Sequence, residues 1–420
     1  WLPRPRAAAA AVATIALSAA LLAGLVWRAP ATLLFSPAVS MRDGMAALHE
    51  FDRDGSLEQA IRHFNAILAR EPRHAGATAG LALAYALRYT SDGRDPVWLQ
   101  RADASAQQAL QLDDQLALAH TALAWVREYQ GRMEEARQAT EQALRLDPRN
   151  LYALFANADR LIRQQRDAQA EQAIALGASL YPADRFFADL QGKLHFQRGD
   201  YAAAEQAFRR SIALQPDAVF AYANLSAALL QLNRQDEALQ VLQQGLQVRP
   251  NSRLYGNLGT VLFARGDYPG ATRNFELAVS AGKGSPNQYL NWANLGDALR
   301  WMPGREDEAR RAYRTAVDLL APLLAHAPGD LQYQSRMGLY QARLGQAAEA
   351  RAWTARAVAA GPQRPDVHFR AAIVHELLGD RSAALAALKQ AARLGYPAHL
   401  IASEPDLMAL RRDPLYHNKE

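Results

Sequence analysis

Pro148, Pro182, Pro216 and Pro250 stand 34 residues apart, and so do Ala136, Ala170, Ala204 and Ala238. A chain that repeats at this period buries each unit against the next, so it builds a stack and not a globule around one core. The residues between the markers describe the unit. Glycine steps at Gly131-Arg132, Gly199-Asp200, Gly266-Asp267 and Gly379-Asp380 suit the turn that ends a first helix. Proline at the end of the unit stops a second helix. Small residues such as Gly259 or Ala271 fit where the helices approach, and large ones such as Phe275 fill the hole beside them.

The unit resembles the tetratricopeptide repeat, whose pattern is W-x2-L-G-x2-Y…A-x3-F…P. "WANLGDAL" (Trp292, Leu295, Gly296, Leu299) and "YGNLGTVL" (Tyr255, Leu258, Gly259, Leu262) match its first half. Ala204 with Phe208 and Pro216, and Ala60 with Phe64 and Pro72, match its second half. The resemblance implies an all-α fold, a right-handed solenoid of helix pairs. Ten repeats are expected, starting near residues 41, 75, 117, 151, 185, 219, 252, 289, 331 and 365. The second carries an insertion, "SDGRDPVWLQ", between its helices, and the eighth a shorter one, "RWMPGRED". "VDLLAPLLAHAPGD" extends the second helix of the eighth repeat. The array is assigned to 41–396, and 397–420, which break the pattern, to a segment covering its last apolar face.

Residues 7–27 carry no charge, and about 20 such residues span a bilayer as a helix. Ala29-Pro30-Ala31 loosely matches a signal-peptide cleavage site, but the run exceeds the apolar core of a secretory signal. Trp27-Arg28 closes it as an interfacial anchor would. The expectation is a transmembrane helix over 7–27 in contact with lipid, preceded by a cytoplasmic remnant at 1–6 and followed by a linker at 28–40. Arg4 and Arg6 before the helix outweigh Arg28 after it, which favours the N-terminus inside. Ala16, Ala20 and Gly24 form the small-residue series that packs two such helices together, so a homodimer is one expectation.

The net charge is +5, and beyond Arg4, Arg6 and Arg28 it falls to +2 (44 basic against 42 acidic residues). No basic block of five or more occurs, so a nucleic-acid surface is not indicated. The absence of cysteine excludes disulfides, thiolate metal sites and cysteine nucleophiles. His368 and His375 lack a third ligand or an HExxH context and read as ordinary helix histidines. "SAGKGS" at 280–285 lacks the upstream glycine and the Ser/Thr of a phosphate loop. Glu134 and Glu135 read as solvated helix-surface charges. No catalytic residue, metal site or cofactor is expected.

One constellation remains. Asn224, Asn257 and Asn294 occupy the same repeat position on three successive first helices, the helices that line the concave side of such a stack. A carboxamide offers both donors and an acceptor, so it can pair with both groups of a peptide bond. The series resembles the asparagine ladder in the tetratricopeptide region of the O-GlcNAc transferase family, which implies an extended peptide ligand. Phe263, Asp297 and Arg300 are the neighbours expected to add selectivity. The competing reading is local hydrogen bonding by asparagines that are simply common before Leu-Gly.

Longer stretches carry a second resemblance. "RDPVWLQRADASAQQALQLDDQLALAHTALAW", "NLGDALRWMPGREDEARRAYRTAV" and "HELLGDRSAALAALKQAARLGY" followed by "EPDLMALRRDP" are similar to the C-terminal half of bacterial one-pass signalling proteins. The transmembrane serine/threonine kinases are the nearest pattern, and winged-helix regulators and nucleotide cyclases share the layout. The resemblance implies a sensor or interaction half without its output domain, set in the bacterial inner membrane with its array in the periplasm. It also implies a protein or peptide ligand in the concave groove. A stand-alone membrane scaffold and a soluble exported solenoid are the alternatives.

Overall fold

The computed structural model describes residues 35–53, 55–91, 95–281 and 288–417. Twenty helices among the described residues form ten antiparallel pairs. In chain order the pairs are α1 (Pro37–His49) with α2 (Ser56–Leu68), α3 (Ala75–Ser91) with α4 (Pro96–Leu112), and α5 (Ala117–Tyr129) with α6 (Met133–Leu146). Next come α7 (Leu151–Arg163) with α8 (Asp167–Leu180), α9 (Arg185–Gln197) with α10 (Tyr201–Leu214), and α11 (Val219–Gln231) with α12 (Gln235–Val248). Then follow α13 (Ser252–Ala264) with α14 (Tyr268–Ala281) and α15 (Gln288–Arg300) with α16 (Glu306–His326). The last pairs are α17 (Leu331–Arg343) with α18 (Ala347–Ala360) and α19 (Pro365–Leu377) with α20 (Arg381–Arg393). A C-terminal segment adds α21 (Ala398–Ser403), a 3-10 turn at Pro405–Leu407, α22 (Met408–Arg411) and α23 (Pro414–His417). The fold is an all-α tetratricopeptide solenoid. The expected membrane segment at 7–27, its small-residue series and most of the linker lie outside the described residues. No helix among the described residues is long and apolar enough to cross a membrane.

Each Gly-Asp step does two jobs. Gly199 takes a left-handed φ of 80°, which closes α9, and Asp200 then caps α10 by accepting from the N–H of Ala203 at 3.1 Å. At the matching position, 34 residues earlier and later, Gln165 and Asn233 hold left-handed φ values of 58° and 59°. Within a pair, an aromatic ring of the second helix enters a glycine gap in the first. A Cβ on Gly259 would lie 2.6 Å from the Phe275 ring, and one on Gly192 would lie 2.4 Å from Phe208. Phe275 and Phe208 are accordingly buried.

Two boundaries differ from the sequence expectation. The first helix starts at Pro37, inside the expected linker, because Ser36 caps it (Oγ to Val39 N–H, 3.3 Å) and Pro37 is preorganised for the first turn. The insertion in the second repeat also does not form a long loop. It lengthens both helices, so that α3 runs to Ser91 and α4 starts at Pro96 behind the capping Asp95.

The first helices stack on one another and their superhelical path brings distant repeats together. The turn between α1 and α2 reaches the helices of the fourth to seventh pairs. Asp52, with its side chain fully buried, pairs with buried Arg185 at 2.9 Å, and Arg53 pairs with Asp217. Arg249 donates to the Asp52 carbonyl at 3.1 Å, and the His49 ring lies 4.5 Å from that of Phe186. The C-terminal segment reaches back in the same way. Asp406 accepts from both terminal nitrogens of Arg300, at 3.0 and 3.2 Å, and also pairs with Arg343. The His399 ring meets the Leu230 carbonyl at 3.0 Å.

Candidate interaction groove

Between these two returning segments a cavity of about 420 Å³ remains open on the face of the first helices. Its apolar wall is built from six rings: Phe51, Phe155, Phe186, Phe196, Phe208 and Phe220. The rings belong to different repeats and meet only because the superhelix curls. Phe155 and Phe186 stand 5.3 Å apart, and Phe51 of the α1–α2 turn lies 6.2 Å from Phe186. Aromatic pairs at this spacing are favourable beyond their buried area.

The polar lining is unequally partnered. Asp159 is held by Lys193 at 2.5 Å and by Arg163 at 2.6 Å. Asp189 is held by Arg185 at 2.6 Å; burial nevertheless pushes its carboxyl above the ordinary value, against the pull of that arginine. Arg253 is different. Among the described residues its guanidinium has no carboxylate partner and lies over the Phe220 ring, 4.8 Å from the centroid. It opens to the groove but is flanked by protein on nearly every side, and this desolvation alone pulls it below the usual arginine value. The groove thus has one uncompensated positive charge beside an aromatic wall.

The three asparagines fall in three different settings. Asn224 is half-buried and lines the cavity. Asn257 donates to the Ala223 carbonyl at 2.8 Å and to Ser226 Oγ at 3.0 Å, tying α13 to α11. Asn294 is half-buried on α15, beyond the cavity. The expected selectivity neighbours are engaged within the chain. Asp297 accepts from the Tyr313 hydroxyl at 2.6 Å and pairs with Arg343 at 3.2 Å, while Arg300 is bound by Asp406. Phe263 packs edge-on against Tyr268 at 5.3 Å.

Sequence reasoning missed Arg253, Phe220 and the ring cluster. Their repeat positions carry no shared residue type, and the period has no information about which distant turns meet. Elsewhere, His368 is buried with its ring against the Pro362 carbonyl at 2.9 Å. No group of three or more potential metal ligands occurs among the described residues.

Comparison with known proteins agrees with this architecture. The tetratricopeptide repeat family matches at residues 117–150 and 195–260, so the chain carries tetratricopeptide repeats within an all-α solenoid. Protein FlbA of Caulobacter vibrioides is 32% identical over 145 residues, which cover 31% of this chain and 24% of FlbA. The small glutamine-rich tetratricopeptide repeat-containing protein 2 of Mycosarcoma maydis is 29% identical over 90 residues, covering 21% of this chain and 26% of that protein. The chain therefore matches about a quarter of the length of either relative. Among solved structures, the human IFIT1 dimer with m7Gppp-AAAA superposes with a TM-score of 0.53 at 16% identity, over 77% of this chain and 72% of that one. The Cut9–Hcn1 hetero-tetramer of APC/C gives 0.52 at 16% identity, over 82% and 62%. At that identity the likeness is one of fold.

Proposed function

We propose that the chain is a polypeptide-binding module whose concave groove, between the α1–α2 turn and the C-terminal segment, holds an extended segment of a partner protein. The observation that carries this reading is the open cavity. It is apolar and lined by first helices, with a half-buried carboxamide at Asn224 and an unpaired cation at Arg253. We further propose that the array is held at a bacterial inner membrane by residues 7–27, as the interaction half of a signalling protein similar to the transmembrane kinases. The support for that part is the uncharged run and its arginine flanks.

The test of the groove uses a pool of capped dodecapeptides of randomised sequence. Asn224→Ala with Asn294→Ala removes two carboxamides that no described hydrogen bond requires. Each such bond contributes about 0.5–1.5 kcal/mol net, so affinity should fall by roughly 5- to 150-fold with the melting temperature unchanged. Affinity within about threefold of the parent would refute the ladder. Asn257→Ala should instead lower thermal stability, because it cuts two bonds between neighbouring helices. For the membrane placement, a reporter that works only outside the cytoplasm, fused after Glu420, should be active; activity of a cytoplasm-only reporter would reverse it.

A further inference from the structure

The α1–α2 turn shows what this groove accepts. Phe51 adds its ring to the aromatic wall, and the next residue, Asp52, delivers a carboxylate to a buried arginine, Arg185. A second ring-plus-arginine position lies on the opposite side of the same cavity. Phe220 supplies the ring, and Arg253, 4.8 Å above it, supplies the cation. The first position is filled by the chain itself. The second has no carboxylate partner among the described residues. The other carboxylates of the lining, Asp159 and Asp189, are already satisfied by Lys193, Arg163 and Arg185. An incoming anion at Arg253 would therefore meet one uncompensated cation in a place partly shielded from water, where charge complementarity counts more than on an open surface.

We infer that the groove selects a partner segment carrying an aromatic side chain next to an acidic one, with the ring in the cavity beside Phe220 and the carboxylate on Arg253. This rests on the polypeptide-binding reading above and narrows it to one ligand chemistry. Asn224, on the cavity wall between the two positions, is placed to hold the backbone that joins ring and carboxylate. A guanidinium receives a carboxylate through two parallel N–H donors, a geometry that an ammonium does not reproduce. The site also differs from one built for a chain terminus, because the precedent in the turn is a side-chain carboxylate in mid-chain.

The experiment titrates the full chain with capped tetrapeptides, acetyl-Gly-Phe-Asp-Gly-amide and its Phe-Asn and Ala-Asp counterparts, and reads Kd by ligand-observed NMR. Capping removes the terminal carboxylate, so only the side chain can supply the anion. The Phe-Asp peptide should bind at least tenfold more tightly than either counterpart. Arg253→Gln should bring the Phe-Asp and Phe-Asn peptides within twofold of each other, with Phe-Asn affinity unchanged. Arg253→Lys should keep part of the preference, which reports on the charge in a folded protein. Equal affinity of Phe-Asp and Phe-Asn for the parent chain, or a preference that survives Arg253→Gln, would overturn the inference. If the randomised dodecapeptides still bind through Asn224 in that case, the polypeptide-binding reading stands alone. If they do not, both fall.

Discussion

At the scale of single residues, the turn between paired helices demands one backbone conformation, and eight described glycines supply it, among them Gly131 and Gly199. Gln165 and Asn233 hold the same left-handed conformation with a Cβ. Outside glycine that region costs roughly 1–2 kcal/mol, and asparagine tolerates it best. Gln165→Gly should therefore stabilise the fourth repeat by about 1 kcal/mol, net of the added freedom of the unfolded chain. Asn233→Gly should gain less. Hydrogen exchange of the α7 and α8 amides reads the difference, and unchanged or reduced protection in the glutamine variant would show that the strain is absorbed elsewhere. The same scale explains why the fold class was legible. Glycine at a turn, glycine facing Phe275, and proline at a helix end each act within one repeat, so they leave a mark every 34 residues. Arg253 and Asp52 act across several repeats and leave none.

At the scale of elements, the C-terminal segment does more than cover the last helices. Asp406 enters a cluster with Asp297, Arg300 and Arg343, and Glu404 sits beside it. Burial, and then the charge of Asp406, push the Glu404 carboxyl up to about 7. The folded segment thus favours the protonated acid more than the unfolded chain does. The stability it contributes is fully present below the ordinary glutamate value and is lost as the pH rises through about 7, at up to about 1.4 kcal/mol per pH unit between those limits. Protection factors in residues 398–411 should fall between pH 5 and pH 8. Glu404→Gln, neutral throughout, should hold them level. A parallel fall in both proteins would exclude Glu404 as the cause. The sequence indicated a segment that breaks the repeat, but not its destination, because Asp406 and Arg300 are 106 residues apart and share no period. Arg300 and Asp297 were read as groove residues on register alone. Register places a residue on a face but does not say whether the chain returns to cover it.

At the scale of the whole molecule, nearest-neighbour packing is only part of the account. A simple solenoid unravels from its ends, since each repeat contacts only those beside it. Here the Asp52–Arg185 pair joins the first repeat to the fifth, and Arg53–Asp217 adds to it. Breaking a buried pair by removing one charge costs about 3–5 kcal/mol, and Asp189, still holding Arg185, should keep the loss near the lower end. Asp52→Asn should therefore lower hydrogen-exchange protection in α1, α2 and α9 together while leaving α17 to α20 unchanged. Loss confined to α1 and α2 would mean that the contact is a passive one.

That same long-range pair sets a rule for copy number. In an open solenoid a repeat can be gained or lost with little consequence, because each added unit only moves the end outward. In this chain three helix pairs separate the turn that carries Asp52 from the helix that carries Arg185. One more or one fewer would rotate and translate the arginine away from its carboxylate, leaving both charges stranded in a dry place. The aromatic wall would come apart in the same step, since Phe51 and Phe186 are brought together by the same winding. The number of units between the two ends is thus part of the binding site, as the number of teeth is part of a gear.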